Sequence, residues 1–151
     1  GEGVLWVRGP SVASGYFRDP VMTADRFVDG WFNTGDYVRM EEGCVRILDR
    51  VTDIIIVGGF NVYPQEVEAI LHTHPAVSQA VVVGMPHPVN GEVPKAFIQL
   101  REGMQVTSRE IIDFCKKHLA HFKVPRSVEF MESFPLSSTG KVLRRMLKQP
   151  K

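Results

Sequence analysis

The sequence predicts an α+β fold, a small β-sheet covered by helices, and three observations predict it. β-rich and helix-period runs intermix along the chain with mostly short links between them. The β-rich runs are short, at Ile54 to Val57, Val77 to Gly84, Lys95 to Leu100 and Ser127 to Met131. Two helix starts carry explicit signals: Pro64 with Glu66 and Glu68 close behind, and the capping box Thr107-Ser108-Arg109-Glu110.

In chain order, Gly3 to Pro10 reads as a strand stopped by Gly-Pro, and Ser14 to Pro20 as a turn. Val21 to Phe27 is long enough for about two helical turns, started by Pro20. Tyr37 to Met40 and Cys44 to Leu48 form a hairpin through Glu41-Glu42-Gly43, with Gly43 supplying the positive φ. This first third shows no obvious core of its own. Beyond Asp53 the pattern changes. Ile54 to Val57 is a strand, Gly58-Gly59 a loop, and Pro64 opens a helix with Val67, Ile70 and Leu71 on one face. The capping box precedes a helix carrying Ile111, Cys115 and Leu119 on one face, and Val142 to Leu147 reads as a terminal helix. The boundary between the two parts falls at Asp49 to Asp53.

Composition narrows the function classes. The chain of 151 residues suits one domain, or one small domain with a piece of another. Its 18 basic and 17 acidic side chains leave a net charge of +1, too weak a field to predict binding to nucleic acid or an anionic membrane. No apolar run approaches the ~18 residues that span a bilayer. Cys44 and Cys115 lie far apart and form no CxxC pair, so two buried, reduced thiols of a cytosolic protein are expected. His72 and His74 do not share a helical face, and His118 and His121 have no third ligand in phase, so no metal site is expected. The chain starts at Gly1-Glu2-Gly3 without an initiator Met, as a piece of a longer protein would.

Three blocks carry chemistry. Gly30-Trp31-Phe32-Asn33-Thr34-Gly35-Asp36 places a carboxylate after a glycine that lets the chain turn tightly. Asp49-Arg50-Val51-Thr52-Asp53 leads through Ile54 to Val57 into Gly58-Gly59-Phe60-Asn61-Val62-Tyr63-Pro64. Pro135-Leu136-Ser137-Ser138-Thr139-Gly140-Lys141 sets a compact cation on a long stem behind a glycine. In this order and spacing the blocks resemble the carboxyl-terminal portion of the acyl-adenylate-forming enzymes: acyl-CoA synthetases, peptide-synthetase adenylation domains and luciferases. The resemblance covers essentially the whole chain.

That resemblance implies a fold and a set of roles. Residues 1–49 would be the β-rich end of a large amino-terminal domain, 50–53 a hinge, and 54–151 the mobile carboxyl-terminal domain. Lys141 matches the adenylation lysine, which offsets repulsion between the carboxylate and the α-phosphate of ATP. Asp36 matches the acceptor for the ATP ribose hydroxyls, and Arg50 the arginine beside ribose and phosphate. Thr52 occupies the hinge pivot, where Asp or Lys is common in the family. Gly58 and Gly59 would line the phosphopantetheine path. Phe122, in Phe122-Lys123-Val124-Pro125, would face the CoA nucleotide, although Val124 replaces a basic residue found there in some members.

The implied whole is an ATP-dependent acyl-CoA synthetase, most like a long- or medium-chain fatty acid–CoA ligase. Its ATP and Mg²⁺ would be held mainly by the missing amino-terminal domain, with CoA as co-substrate. The partners implied are that domain, a carboxylic acid and CoA. The location implied is cytoplasmic, at most peripheral at membranes, and the piece alone is expected to be inactive. The tail Lys148-Gln149-Pro150-Lys151 looks like the end of a stand-alone ligase. An adenylation domain delivering to a carrier protein, and a non-catalytic α+β binding module, are the two alternatives.

Overall fold

The computed structural model describes residues 1–149; Pro150 and Lys151, the end of the expected tail and of the expected 54–151 domain, lie outside the described residues. The chain divides into two compact units, Gly1–Thr52 and one that begins at Asp53. The architecture is α+β, with one sheet in each unit.

The first unit holds β1 (Glu2–Val7), α1 (Pro20–Arg26), β2 (Phe27–Val28), β3 (Trp31–Glu41) and β4 (Cys44–Arg50). Strand β3 is central: β1, β2 and β4 all pair with it antiparallel. Asp19 caps α1 by accepting a hydrogen bond from the Met22 backbone at 2.9 Å, and Pro20 follows at the first helical turn. Tyr16, Phe27 and Phe32 form a short aromatic chain, one edge-on contact and one stack. The β3–β4 hairpin turns on Glu42 and Gly43, both at positive φ (51° and 79°), as a two-residue primed turn requires. Val38 is the one buried apolar side chain among residues 1–52, which accords with the missing core noted in the sequence. Cys44 is exposed at the start of β4, so only one of the two thiols is buried as expected.

The second unit runs β5 (Ile55–Val57), β6 (Phe60–Val62), α2 (Pro64–His72), β7 (Val77–His87), β8 (Gly91–Leu100), α3 (Ser108–His118), a 3-10 turn at His121–Lys123, β9 (Ser127–Phe130) and α4 (Arg144–Leu147). The sheet order is β6-β5-β8-β7, with β9 joining β8 in parallel. Both sheet faces are covered, which explains why Ala80 to Val83 is a continuous apolar run rather than an alternating one. Ala80 and Val82 turn toward α2 and α3, packing with Leu71, Ile111 and Cys115. Val81 and Val83 turn the other way, onto Phe97, Phe134 and Leu147.

The capping box is formed in full: Thr107 Oγ1 accepts from the Glu110 backbone at 3.2 Å, and the Thr107 backbone donates to Glu110 Oε2 at 2.8 Å. Two sequence expectations change and one strand is added. β7 and β8 run past Pro86 and Pro94, residues that argue against strand in a sequence, and meet at a tight turn after His87. Phe60–Val62, unassigned from the sequence, forms a strand paired with β5. The terminal helix begins at Arg144 and not Val142, because Val142 bridges Leu136 across a hairpin and the Leu143 backbone donates to Pro135 O at 2.8 Å.

Candidate functional site

In the first unit the structure brings Asp36 and Arg50 together. They face each other across β3 and β4, and Arg50 Nε lies 3.0 Å from Asp36 Oδ1. Arg50 Nη1 also donates to Thr34 O at 3.0 Å. Asp36 therefore sits on a strand, not in a free turn: β3 bulges outward opposite Leu5, with Gly35 at φ 75° inside the bulge. A Cβ on Gly35 would stand 2.8 Å from Arg26 Nη1, the mobile end of a long side chain, so the positive φ is what calls for glycine here.

The bulge is held by its own polar side chains. Asn33 Oδ1 accepts from the Gly35 backbone and Thr34 Oγ1 from the Asp36 backbone, each at 3.0 Å, while Thr34 Oγ1 donates to Leu5 O at 2.9 Å. Arg50 pairs with Asp36 rather than with its chain neighbours. Asp49 is buried and accepts from the Arg50 backbone at 2.8 Å. A hollow of about 260 Å³ lies beside this pair, lined by Arg50, Thr52, Gly35, Arg26 and Val4. Thr52 itself lies in the turn that follows β4 and is exposed.

In the second unit Gly58 and Gly59 form the two-residue loop between β5 and β6, at φ 57° and 89°. A Cβ on either would meet no protein atom within 4 Å. Beside this hairpin Phe122 stacks on Phe60, centroids 4.9 Å apart, and it also packs against the core cluster that includes Val67, Leu71 and Ile111. Lys123 Nζ pairs with both carboxylate oxygens of Glu66 at 2.7 Å. Gly58, Gly59 and Phe122 therefore share one rim of the second unit.

Lys141 lies on the hairpin that precedes α4. Ser137 organises it: its backbone donates to Lys141 O at 2.8 Å, its carbonyl accepts from Gly140 at 2.9 Å, and its Oγ accepts from the Lys141 backbone at 3.1 Å. Gly140, at φ 81°, makes the turn. The Lys141 side chain is exposed and makes no hydrogen bond or ion pair among the described residues. It borders a cleft of about 730 Å³, together with Asp53, Glu68, His72, Arg144 and Arg145.

Sequence reasoning missed Phe60, Glu68 and Arg144. Glu68 reads as an acidic residue favourable near a helix start. Its partner Arg144 lies 76 positions away, bonding Glu68 Oε1 at 2.6 Å, and no local pattern announces that pair. Among the described residues no group of three or more His, Cys, Asp or Glu is placed to hold a metal ion, and no helix is long and apolar enough to cross a membrane.

Comparison with known proteins agrees with this layout. The AMP-binding enzyme C-terminal domain family matches residues 66–141, ending on Lys141. A long-chain-fatty-acid–CoA ligase of Yersinia pestis is 44% identical over 97% of this chain and 26% of its own length. A 2-succinylbenzoate–CoA ligase of a Geobacillus strain is 43% identical over 97% of this chain and 30% of its own length. The solved o-succinylbenzoate CoA synthetase of Bacillus subtilis, in complex with its acyl-adenylate intermediate, superposes with a TM-score of 0.92 at 37% identity. It covers 100% of this chain and 31% of the synthetase. The chain thus spans about a quarter of the length of the first curated relatives it matches. The β-rich unit, the five-stranded sheet under two helices and the exposed lysine at the end of the family match place this chain in the AMP-binding enzyme C-terminal domain family, as the carboxyl-terminal portion of an adenylate-forming enzyme.

Proposed function

We propose that this chain is the carboxyl-terminal part of an ATP-dependent acyl-CoA synthetase that activates a carboxylate as acyl-AMP and passes it to CoA. The observation that carries the reading is Lys141, an exposed cation on an internally bonded hairpin that makes no ion pair among the described residues. Carboxylate and ATP are both anionic, so their approach needs a positive charge at the oxygens where charge builds up. Such fixed electrostatic stabilisation is commonly the largest single catalytic contribution. Asp36, held by Arg50 at 3.0 Å, is proposed as the acceptor for the ATP ribose hydroxyls.

Thr52 is proposed as the hinge residue, the last position before the second unit begins at Asp53. The rim formed by Gly58, Gly59 and Phe122 is proposed to pass the pantetheine arm in the thioester step. ATP and Mg²⁺ would be held mainly by the protein preceding this portion. The chain alone is expected to release neither AMP nor acyl-CoA. Relatives named for a long-chain fatty acid and for 2-succinylbenzoate match at 44% and 43%, so this portion supports a CoA ligase more strongly than any one acid. A long- or medium-chain fatty acid is the proposed substrate class, from the likeness of the Gly58-to-Pro64 stretch and the first curated relatives. A cytoplasmic location is part of the same proposal.

The test replaces Lys141 by Ala in the full-length enzyme and measures the half-reactions separately. Acyl-adenylate formation should fall by about 10²–10³-fold, the usual loss of one preorganised electrostatic group. Thioester formation from supplied acyl-adenylate should persist. Equal loss of both would refute the division of labour.

A further inference from the structure

We infer that Arg144 is a positioning residue for Lys141, acting by clamping the lysine hairpin to the edge of the sheet. The inference rests on the reading of Lys141 as the adenylation cation. The hairpin's internal bonds, between Ser137, Gly140 and Lys141, fix its shape but not its seat on the domain. Two kinds of contact provide the seat. Val142 and Leu147 pack into the cluster of Val81, Val83, Phe97 and Phe134. That packing is non-directional and tolerates sliding. The polar contact is directional.

Arg144 Nη1 donates to Glu68 Oε1 at 2.6 Å and to Val82 O at 2.7 Å, and Nη2 donates to Glu68 Oε2 at 3.1 Å. Glu68 Oε1 in turn accepts from the Val82 backbone at 2.8 Å. Val82 belongs to β7, the outer strand of the sheet order, so its N–H and C=O have no strand partner on that side. One ion pair thus satisfies both edge groups of Val82 and ties α2, β7 and α4 together.

Glu68 and Arg144 side chains are only 14% and 23% exposed. A forked, bidentate pair in that setting holds a defined geometry that a lysine could not reproduce. Arg144 Nε also lies 3.8 Å from Asp53 Oδ2, so the clamp reaches the first residue of the unit. Lys141 stands three residues before Arg144, at most about 11 Å of extended chain. A slip at the clamp is therefore transmitted to the lysine, and misplacement of a reacting group by ~1 Å can cost about 100-fold in rate.

The test uses the full-length enzyme with Arg144→Met, Arg144→Lys, Glu68→Gln and Lys141→Ala, each scored by the ratio of adenylation rate to thioester rate from supplied adenylate, well below the melting temperature. Arg144→Met should lower adenylation by about 10- to 100-fold while the thioester rate changes less than about 3-fold. Arg144→Lys and Glu68→Gln should show the same selectivity with smaller losses. They also carry the test if Arg144→Met fails to fold. The double variant Arg144→Met/Lys141→Ala should be no slower than Lys141→Ala alone, because positioning acts only through the lysine. Should Lys141→Ala leave adenylation intact, the reading of Lys141 itself fails. Should Lys141→Ala abolish adenylation while the clamp variants lower both half-reactions equally, or neither, Arg144 is a structural residue and the inference is overturned. Additive losses in the double variant overturn it too.

Discussion

Replacing Gly59 by Val separates two explanations of the Gly58-Gly59 pair that the sequence alone leaves entangled. One explanation is conformational. The pair closes the β5–β6 hairpin between Val57 and Phe60, and φ values of 57° and 89° suit the primed turn that matches strand twist. The other is passage of a slim ligand arm close to the backbone. The structure fixes what each predicts. Apart from its chain neighbours, a Cβ at Gly59 meets no protein atom within 4 Å, so the main cost of substitution within the fold is backbone strain.

A left-handed conformation costs an L-residue about 1–2 kcal/mol, and 89° lies well beyond the centre of that well, near 57°. Each kcal/mol lowers the melting temperature of a domain of this size by about 4–8 °C. Gly59→Val should therefore melt roughly 4–16 °C lower yet stay folded in a moderately stable parent. Gly58, at 57°, is the control: Asn tolerates that conformation, so Gly58→Asn should lower stability far less. Rapid-quench assays of the full-length enzyme, run well below either melting point, then read the two half-reactions. Passage predicts that Gly59→Val slows thioester formation by about 10-fold or more with adenylation unchanged, because obstructing the approach of a reacting group by ~1 Å is costly. If thioester formation stays normal in a folded Gly59→Val enzyme, the glycines serve the turn alone and the passage argument is refuted.

Further outcomes follow from the geometry of single residues. Asp36→Ala should change stability little, because its partner Arg50 is 57% exposed and such ion pairs contribute about 0–1 kcal/mol. If Asp36 accepts ribose hydroxyls, the same change raises the apparent KM for ATP by about 10- to 100-fold, the worth of hydrogen bonds to a charged group; an unchanged KM would remove Asp36 from the nucleotide site. Thr107→Ala removes one half of the capping box and should lower the urea-unfolding free energy by about 1 kcal/mol, with Thr107→Ser nearly neutral. Exposed Cys44 should react at once with a thiol reagent and buried Cys115 only after denaturation. Burial pushes the Cys115 pKa from 9.0 up to about 11, so the unfolded thiol ionises first. The stability this contributes is complete below pH 9 and is lost as pH rises toward 11, by at most about 2–3 kcal/mol; a Cys115→Ala protein retaining the same slope there would contradict it.

What was legible in the sequence is what depends on near neighbours. The capping box at Thr107 and the primed turn at Gly43 are decided within four residues, and both formed as read. The apolar faces of α2 and α3 are decided within about two turns, and Val67, Leu71, Ile111 and Cys115 are buried. Pro86 and Pro94 misled because a proline excludes strand only where its missing N–H is needed by a partner. Lys141 and Asp36 are legible as candidate site residues only through a resemblance spanning the chain. Nothing in their local periodicity marks them.

The contacts that would make those residues competent were not legible, and Arg50 shows why. Read along the chain, its nearest carboxylates are Asp49 and Asp53, one and three positions away. Strand register chooses otherwise. The irregularity in β3–β4 pairing, where Tyr37 faces Asp49 but Val38 faces Ile47, carries Arg50 opposite Asp36. A one-residue slip would turn Arg50 to the opposite face of the sheet and leave Asp36 without it. The same holds for Arg144, whose carboxylate partner lies on α2 and whose carbonyl partner lies on β7. In both cases the residue type is written locally, while its partner is set by how sheet edges and registers fall. The polar contacts that orient the candidate site are therefore consequences of topology, and tests that disturb register or clamp, rather than the named residues alone, are the ones that probe how the fold makes the site.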